Sequence, residues 1–133
     1  MKRTAATAAA CIGLFSVGVV SFVGVGSAGQ APNKSGAFMR VKLDHAQQLL
    51  AAIALEDYES ISRHAQKISL LTEDENWRVL QTVEYRRHSD DFRRATNAVT
   101  DAARKKNLDG AVLAYMQMTM HCVQCHKHVR SQR

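Results

Sequence analysis

Residues that break helices are almost absent from most of this chain. Pro32 is the only proline, and Gly110 is the only glycine in residues 37–133. A β-sandwich, a barrel or a doubly wound sheet of this size needs many more turn residues. We therefore expect long helices with short connections. The length of 133 residues allows one small domain and excludes a two-domain enzyme.

The first thirty residues have the order of a secretory signal. A basic start at 1–3 precedes an apolar stretch that ends near Val25, and small residues follow at 26–31. This order predicts export to the periplasm or another extracytoplasmic space, with cleavage after Ala28 or Ala31. An uncleaved membrane anchor is the alternative, because the apolar stretch approaches the length of a spanning helix. Residues 1–28 are thus interpreted as a signal peptide or anchor, and residues 29–36 as a linker.

The positive charge of the chain does not indicate a nucleic-acid partner. The formal net charge is +6 at pH 7, and Lys2 and Arg3 contribute two of these charges. Acidic residues alternate with the basic ones, for example in 86–91, and this alternation is typical of a solvated helix face. With no basic stripe and no recognition motif, nucleic-acid binding is not expected.

Apolar residues at intervals of three and four predict four helices. Their expected ranges are 37–55, 57–71, 83–106 and about 109–130. Such lengths with short links favour an all-α, antiparallel up-down-up-down four-helix bundle. We expect Thr82 and Asp109 to cap the third and fourth helices, and Thr72–Glu75 to form a capping box that opens a short turn. The expected inward stripe of the first helix comprises Met39, Leu43, Ala46, Leu50 and Ile53, widened by Phe38, Val41, Leu49 and Ala52. The expected inner positions of the second helix are Tyr58, Ile61, Ala65, Ile68 and Leu71, and those of the third are Tyr85, His88, Phe92, Ala95, Val99 and Ala102. The expected inner line of the fourth helix comprises Val112, Tyr115, Thr119, Cys122, His126 and Val129.

The residues with the most specific chemistry are Cys122-Val123-Gln124-Cys125-His126. Two thiols on consecutive helical turns can bond both vinyl groups of a haem, and the adjacent imidazole can bind its iron. A dithiol redox pair is disfavoured because the usual strand-helix context is missing. A structural zinc site needs four ligands, and a disulfide here would constrain very little. The motif therefore predicts one covalently attached haem c, with Cys122 and Cys125 as its tethers and His126 as an iron ligand.

Only seven residues follow His126, so a second iron ligand must come from upstream. This order excludes the common small cytochromes c, in which the motif is near the amino terminus. A carboxy-terminal Cys-x-x-Cys-His on the last of four helices resembles the cytochrome c prime family, the class II c-type cytochromes. The resemblance covers about 37–131, and Lys127 and Arg130 match the basic residues that follow the haem histidine in that family.

The resemblance implies a haem pocket within the bundle, covered on the far side of the iron by a residue of the first helix. Many relatives dimerise through the outer faces of the first two helices, so the resemblance allows a homodimer. Two features depart from the family: the long 72–82 connection with Trp77, and the lack of an Arg-Gln pair early in the first helix. Arg40 is the nearest substitute for that pair, and Arg130 and Lys127 are further candidates for contacts to the haem propionates.

Met39 and Leu43 are the candidates for the far side of the iron. Ligation by the Met39 thioether would give a six-coordinate centre suited to electron transfer, whereas Met39 could also serve only as core packing. A Leu43 cover would leave a five-coordinate iron and a dry pocket for a small diatomic gas. His45 and His88 are weaker candidates for a second imidazole.

These observations predict an exported monohaem c-type cytochrome that moves electrons between redox partner proteins and transforms no substrate. The alternative is a five-coordinate haem protein that binds a gas such as nitric oxide. Peroxidase-like chemistry would need a distal acid–base pair, which the first helix does not offer.

Overall fold

The computed structural model describes residues 34–74 and 77–132, which form four α-helices. These are α1 (Lys34–Ala54), α2 (Tyr58–Leu71), α3 (Val83–Arg104) and α4 (Leu108–Ser131). Each helix packs against the next along the chain, and α1 also approaches α4. The predicted all-α four-helix bundle is confirmed. The predicted signal or anchor segment lies outside the described residues, and within them no helix has the length and apolarity to cross a membrane.

The two tight turns of the bundle share one backbone design. Glu56 and Lys106 follow α1 and α3 in the left-handed conformation, with φ values of 54° and 52°. The next residues, Asp57 and Asn107, donate their backbone N–H groups to carbonyls five residues earlier. This pattern is a Schellman closure, and the same two residues then serve as the N-caps of α2 and α4. The chain therefore reverses within three residues without a glycine.

One of the predicted caps is confirmed and one is wrong. Thr82 caps α3, because its hydroxyl accepts a hydrogen bond from the Tyr85 N–H at 3.1 Å. Asp109 does not cap α4: the helix begins earlier, and the Asn107 side chain accepts from the Gly110 N–H at 2.9 Å. Thr72 ends α2, where its hydroxyl donates to the Ser69 carbonyl at 2.7 Å, and a turn follows at 72–74. Glu75, the other end of the predicted capping box, lies outside the described residues.

The core confirms the predicted inner faces of α2 and α3 but corrects that of α1. Side chains from both middle helices are buried as expected, among them Ile61, Ile68, Phe92 and Val99. In α1, Leu43 and Leu50 are 57% and 51% exposed, so their inward orientation was predicted wrongly. The buried residues of α1 are Lys42, Leu49, Ala52 and Ile53, and of these only Lys42 was outside the predicted stripe and its flanks. Met39 and Ala46 of the stripe are partly buried against the core. Because α1 packs mainly against α2, the face that it buries is turned from the centre of the predicted stripe toward Lys42 and Leu49.

The predicted inner line of α4 is correct only in part. Tyr115, Cys122 and Val129 pack against the core as expected, whereas Val112 and Thr119 are exposed. Ala111, Ala114 and Met118 are the buried residues of this helix. The half-burial of Cys122 and its neighbours follows from a cavity on this side of α4.

Candidate functional site

A cavity of about 490 Å³ lies at one end of the bundle. The amino-terminal half of α1, the carboxy-terminal half of α4, the start of α3 and the 77–80 segment form its walls. Its volume falls within the range of roughly 300–1,000 Å³ that is usual for cofactor and small-molecule sites. Most wall residues are apolar or aromatic, so the cavity suits a large, mainly hydrophobic group.

All three reactive residues of the predicted attachment motif line this cavity. Cys122 and Cys125 are half-buried on consecutive turns of α4, and neither forms a disulfide. Burial raises the pKa of both thiols, an effect that the nearby Lys42 ammonium opposes. Burial lowers the pKa of His126, and the positive charges of Lys42 and Arg130 lower it further. Both effects favour the neutral imidazole, which is the form that binds iron.

Only one of the two α1 residues predicted to face the iron lies at the cavity. Met39 lines the cavity, whereas Leu43 does not and lies at the surface. Leu43 is displaced because the rotation of α1 brings the preceding residue, Lys42, onto the cavity wall. All three basic candidates for the propionates are exposed, and of these Arg130 lines the cavity whereas Arg40 and Lys127 do not.

Lys42 is the cavity residue that the sequence reasoning missed. Its side chain is 8% exposed, and its Nζ atom lies 3.9 Å from the ring centroid of Trp77 and 3.8 Å from that of Phe92. Burial lowers the pKa of Lys42 to about 8. Among the described residues that line the cavity, none carries a carboxylate. The only signal in the sequence was a lysine three residues after Met39, on the same face of a helix.

The long connection between α2 and α3 supplies the aromatic wall of the cavity. Trp77 is 4% exposed, and its indole N–H donates to the Ser89 hydroxyl at 2.8 Å. Its ring lies 5.4 Å from that of Phe92, and the Tyr85 hydroxyl donates to its backbone carbonyl. These contacts fix the connection to α3. Trp77 therefore fills the space between helices and also forms part of the cavity wall.

The histidines outside the motif lie mostly away from the cavity. The Nδ1 atoms of His45 and His64 are 3.3 Å apart between α1 and α2, and the His88 ring packs 5.3 Å from that of His128. Neither His45 nor His88, the candidates for a second imidazole, lines the cavity. His121 does line it, and its Nδ1 atom is buried without a hydrogen-bond partner among the described residues.

Within residues 34–74 and 77–132, no group of three or more His, Cys, Asp or Glu side chains is placed to hold a metal ion. The His126 imidazole and the two thiols instead suit an organic ring that carries its own metal, because the thiols can bond the ring and the imidazole can bind the metal.

Comparison with known proteins adds no further assignment. The chain matches no family model, and no curated protein or solved structure is significantly similar to it.

Proposed function

We propose that this protein is an exported monohaem c-type cytochrome, similar to the cytochrome c prime family, that transfers single electrons between redox partner proteins. One observation carries the proposal: Cys122, Cys125 and His126 line the same cavity, which is walled by apolar side chains from the other parts of the bundle. A Cys-x-x-Cys-His motif on a surface helix without such a cavity would have no place for a porphyrin.

The residues of the cavity fit the parts of a haem. Cys122 and Cys125 would hold it through thioether bonds, formed as each S–H adds across one vinyl double bond without a by-product. The neutral His126 imidazole would bind the iron, and the Arg130 guanidinium would pair with a propionate. When bound, the haem supplies a reversible one-electron couple. Trp77 and Phe92 exclude water from its surroundings, which helps to set the reduction potential.

Of the two residues expected on the far side of the iron, Met39 is the one that lines the cavity. It lines the cavity opposite the motif, on the helix that the family resemblance implies. A covered, six-coordinate iron favours electron transfer, because its ligands need not change between oxidation states. The gas-binding alternative relied on Leu43 as an apolar cover, and Leu43 lies outside the cavity. Nitric oxide binding is therefore the second candidate function, and the gas-binding experiment below distinguishes it from electron transfer.

The attachment is tested by expressing the full chain in a host that matures c-type cytochromes. We expect the purified protein to carry the mass of one haem through thioether bonds, whereas the Cys122→Ser/Cys125→Ser variant should lose essentially all covalent haem. Val123→Ala/Gln124→Ala is the matched control, since both residues are exposed and lie between the cysteines without supplying a thiol or the imidazole. Colourless wild-type protein, or a double variant that keeps covalent haem, would refute the proposal.

The electron-transfer role is tested separately on the haem-bearing protein. We expect a reversible one-electron potentiometric titration and slow or weak binding of carbon monoxide to the reduced protein. Rapid stoichiometric binding of carbon monoxide and nitric oxide by a five-coordinate iron would support the gas-binding function instead.

A further inference from the structure

Lys42 is the most unusual group in the cavity, because a lysine seldom loses its contact with water. The side chain extends from α1 and is almost fully buried, and its ammonium lies against the faces of two aromatic rings, Trp77 and Phe92. Both rings belong to the core, with Phe92 only 1% exposed. The Lys42 nitrogen is therefore at the closed, inner side of the cavity rather than at its mouth.

Burial of this amine needs compensation that the described cavity walls do not supply in full. They include no carboxylate, and two aromatic faces offset only part of the cost of removing an ammonium from water. The same burial lowers the pKa of Lys42 to about 8, which makes the neutral amine accessible near neutral pH. A neutral amine has a lone pair, and binding to a metal ion is a compensation open to it.

The position of Lys42 on α1 also brings its side chain near the Cys-x-x-Cys-His motif. Side chains of an α-helix lean toward its amino end, so the Lys42 chain extends in the direction of Met39, one turn earlier. Lys42 lines the same cavity as the attachment motif, and its charge acts on both thiols and on the His126 imidazole. Met39 lines the same wall but is only partly buried.

We infer that the Nζ atom of Lys42, rather than the Met39 thioether, is the second axial ligand of the iron. This inference rests on the proposed haem and specifies its far side. On binding, the ammonium releases one proton to solvent, and its nitrogen lone pair forms the bond to iron. The centre then has two nitrogen ligands, from His126 and Lys42, and is low-spin in both oxidation states.

The test compares ferric spectra of the haem-bearing protein and three variants. Lys42→Leu removes the amine, whereas Lys42→Arg keeps a positive charge that cannot lose its proton to become a ligand. Met39→Leu is the matched control on the same wall. Electron paramagnetic resonance and optical absorption report spin state and ligand type, and mass and circular dichroism confirm attached haem and folding.

We expect low-spin iron in the wild type and in Met39→Leu, and conversion to high-spin iron in both Lys42 variants. The inference is overturned if Met39→Leu becomes high-spin while Lys42→Leu stays low-spin. It is also overturned if Lys42→Arg keeps the low-spin signal that Lys42→Leu loses, since the role of Lys42 would then be its charge. High-spin wild-type protein would exclude any second protein ligand and support gas binding.

A measurement on the wild type keeps the inference testable should the Lys42 variants fail to fold. Protein produced with lysine that carries a heavy nitrogen isotope at Nζ should show a hyperfine coupling between that nucleus and the unpaired electron of low-spin ferric iron. Absence of the coupling in a low-spin protein refutes lysine ligation. Absence of covalent haem, in contrast, refutes the proposed function itself, so the two failures are distinct.

Discussion

At the scale of single residues, contacts between helices change the acid–base behaviour of histidines. His64 lies against His45, with 3.3 Å between their Nδ1 atoms. Burial lowers the pKa of His64, and the positive charges near it, His45 foremost, lower it further, while Asp44 has the opposite effect. Burial and His128 lower the pKa of His88 in the same way. The folded protein therefore disfavours the charged form of both side chains.

This shift makes the stability of the fold depend on pH. With a folded pKa below the ordinary value of 6.5, the unfolded chain binds more protons between the two pKa values, so the free energy of unfolding falls as the pH decreases through that window. We expect the melting temperature to drop between about pH 7.5 and about pH 5, and to drop less in His64→Gln. Thermal unfolding followed by circular dichroism measures both. Gln66→Ala, on the same helix, should keep the full pH dependence; an unchanged slope in His64→Gln would contradict this account.

At the scale of elements, the turns between helices show how the bundle is formed without glycine. Glu56 and Lys106 adopt a conformation that costs an L-residue roughly 1 kcal/mol, and Schellman hydrogen bonds offset that cost. The following residues, Asp57 and Asn107, complete one helix with their backbone and begin the next with their side chains. Each turn thus satisfies the ends of two helices with one short segment.

Two polar residues near the start of α4, Asn107 and Asp109, should differ in how much they contribute to the free energy of unfolding. Asn107→Ala removes the acceptor of the Gly110 N–H, so we expect a loss of about 1 kcal/mol in the free energy of unfolding. Asp109→Ala removes only an acidic side chain from the first turn and should cost roughly 0.3 kcal/mol. Denaturant unfolding of both variants measures the difference. A larger loss for Asp109→Ala would show that it, rather than Asn107, caps the helix.

At the scale of the whole molecule, α3 is the central helix of the bundle. It packs extensively against both α2 and α4, and it has more buried residues than any other helix. Several of these, including Phe92, Ala95 and Val99, are almost fully buried. The helices α2 and α4 are therefore stabilised by direct packing against α3, and α1 is stabilised mainly through its packing against α2.

Native-state hydrogen exchange should show this hierarchy. We expect the slowest-exchanging amides in the middle of α3, because they open only when the whole bundle unfolds. The first turns of α1, which have exposed residues and few neighbours, should exchange much faster. Maximal protection in α1 instead of α3 would contradict the central role of α3.

The sequence predicted those features that depend on local spacing. Four helices, the Thr82 cap and the inner face of α2 follow from periodicity and cap chemistry, and the placement of Cys122, Cys125 and His126 on one cavity agrees with the motif. The register of α1 did not follow, because Leu43, Leu50 and Leu49 fit an apolar stripe about equally well. Only packing against α2 decides which of them is buried. A lysine on a helix is usually solvated, so Lys42 could not be placed in the cavity without that register.

The contact between α1 and α4 is limited, with the Tyr115 hydroxyl donating to the Ala46 carbonyl at 3.3 Å near the middle of α1. Beyond that point the cavity lies between the two helices. Among the described helices, α1 and α4 thus leave one side of the bundle unjoined over about half its height. A planar group tethered to α4 and covered by α1 would span this opening, so the proposed haem would also be the brace that couples these two helices mechanically.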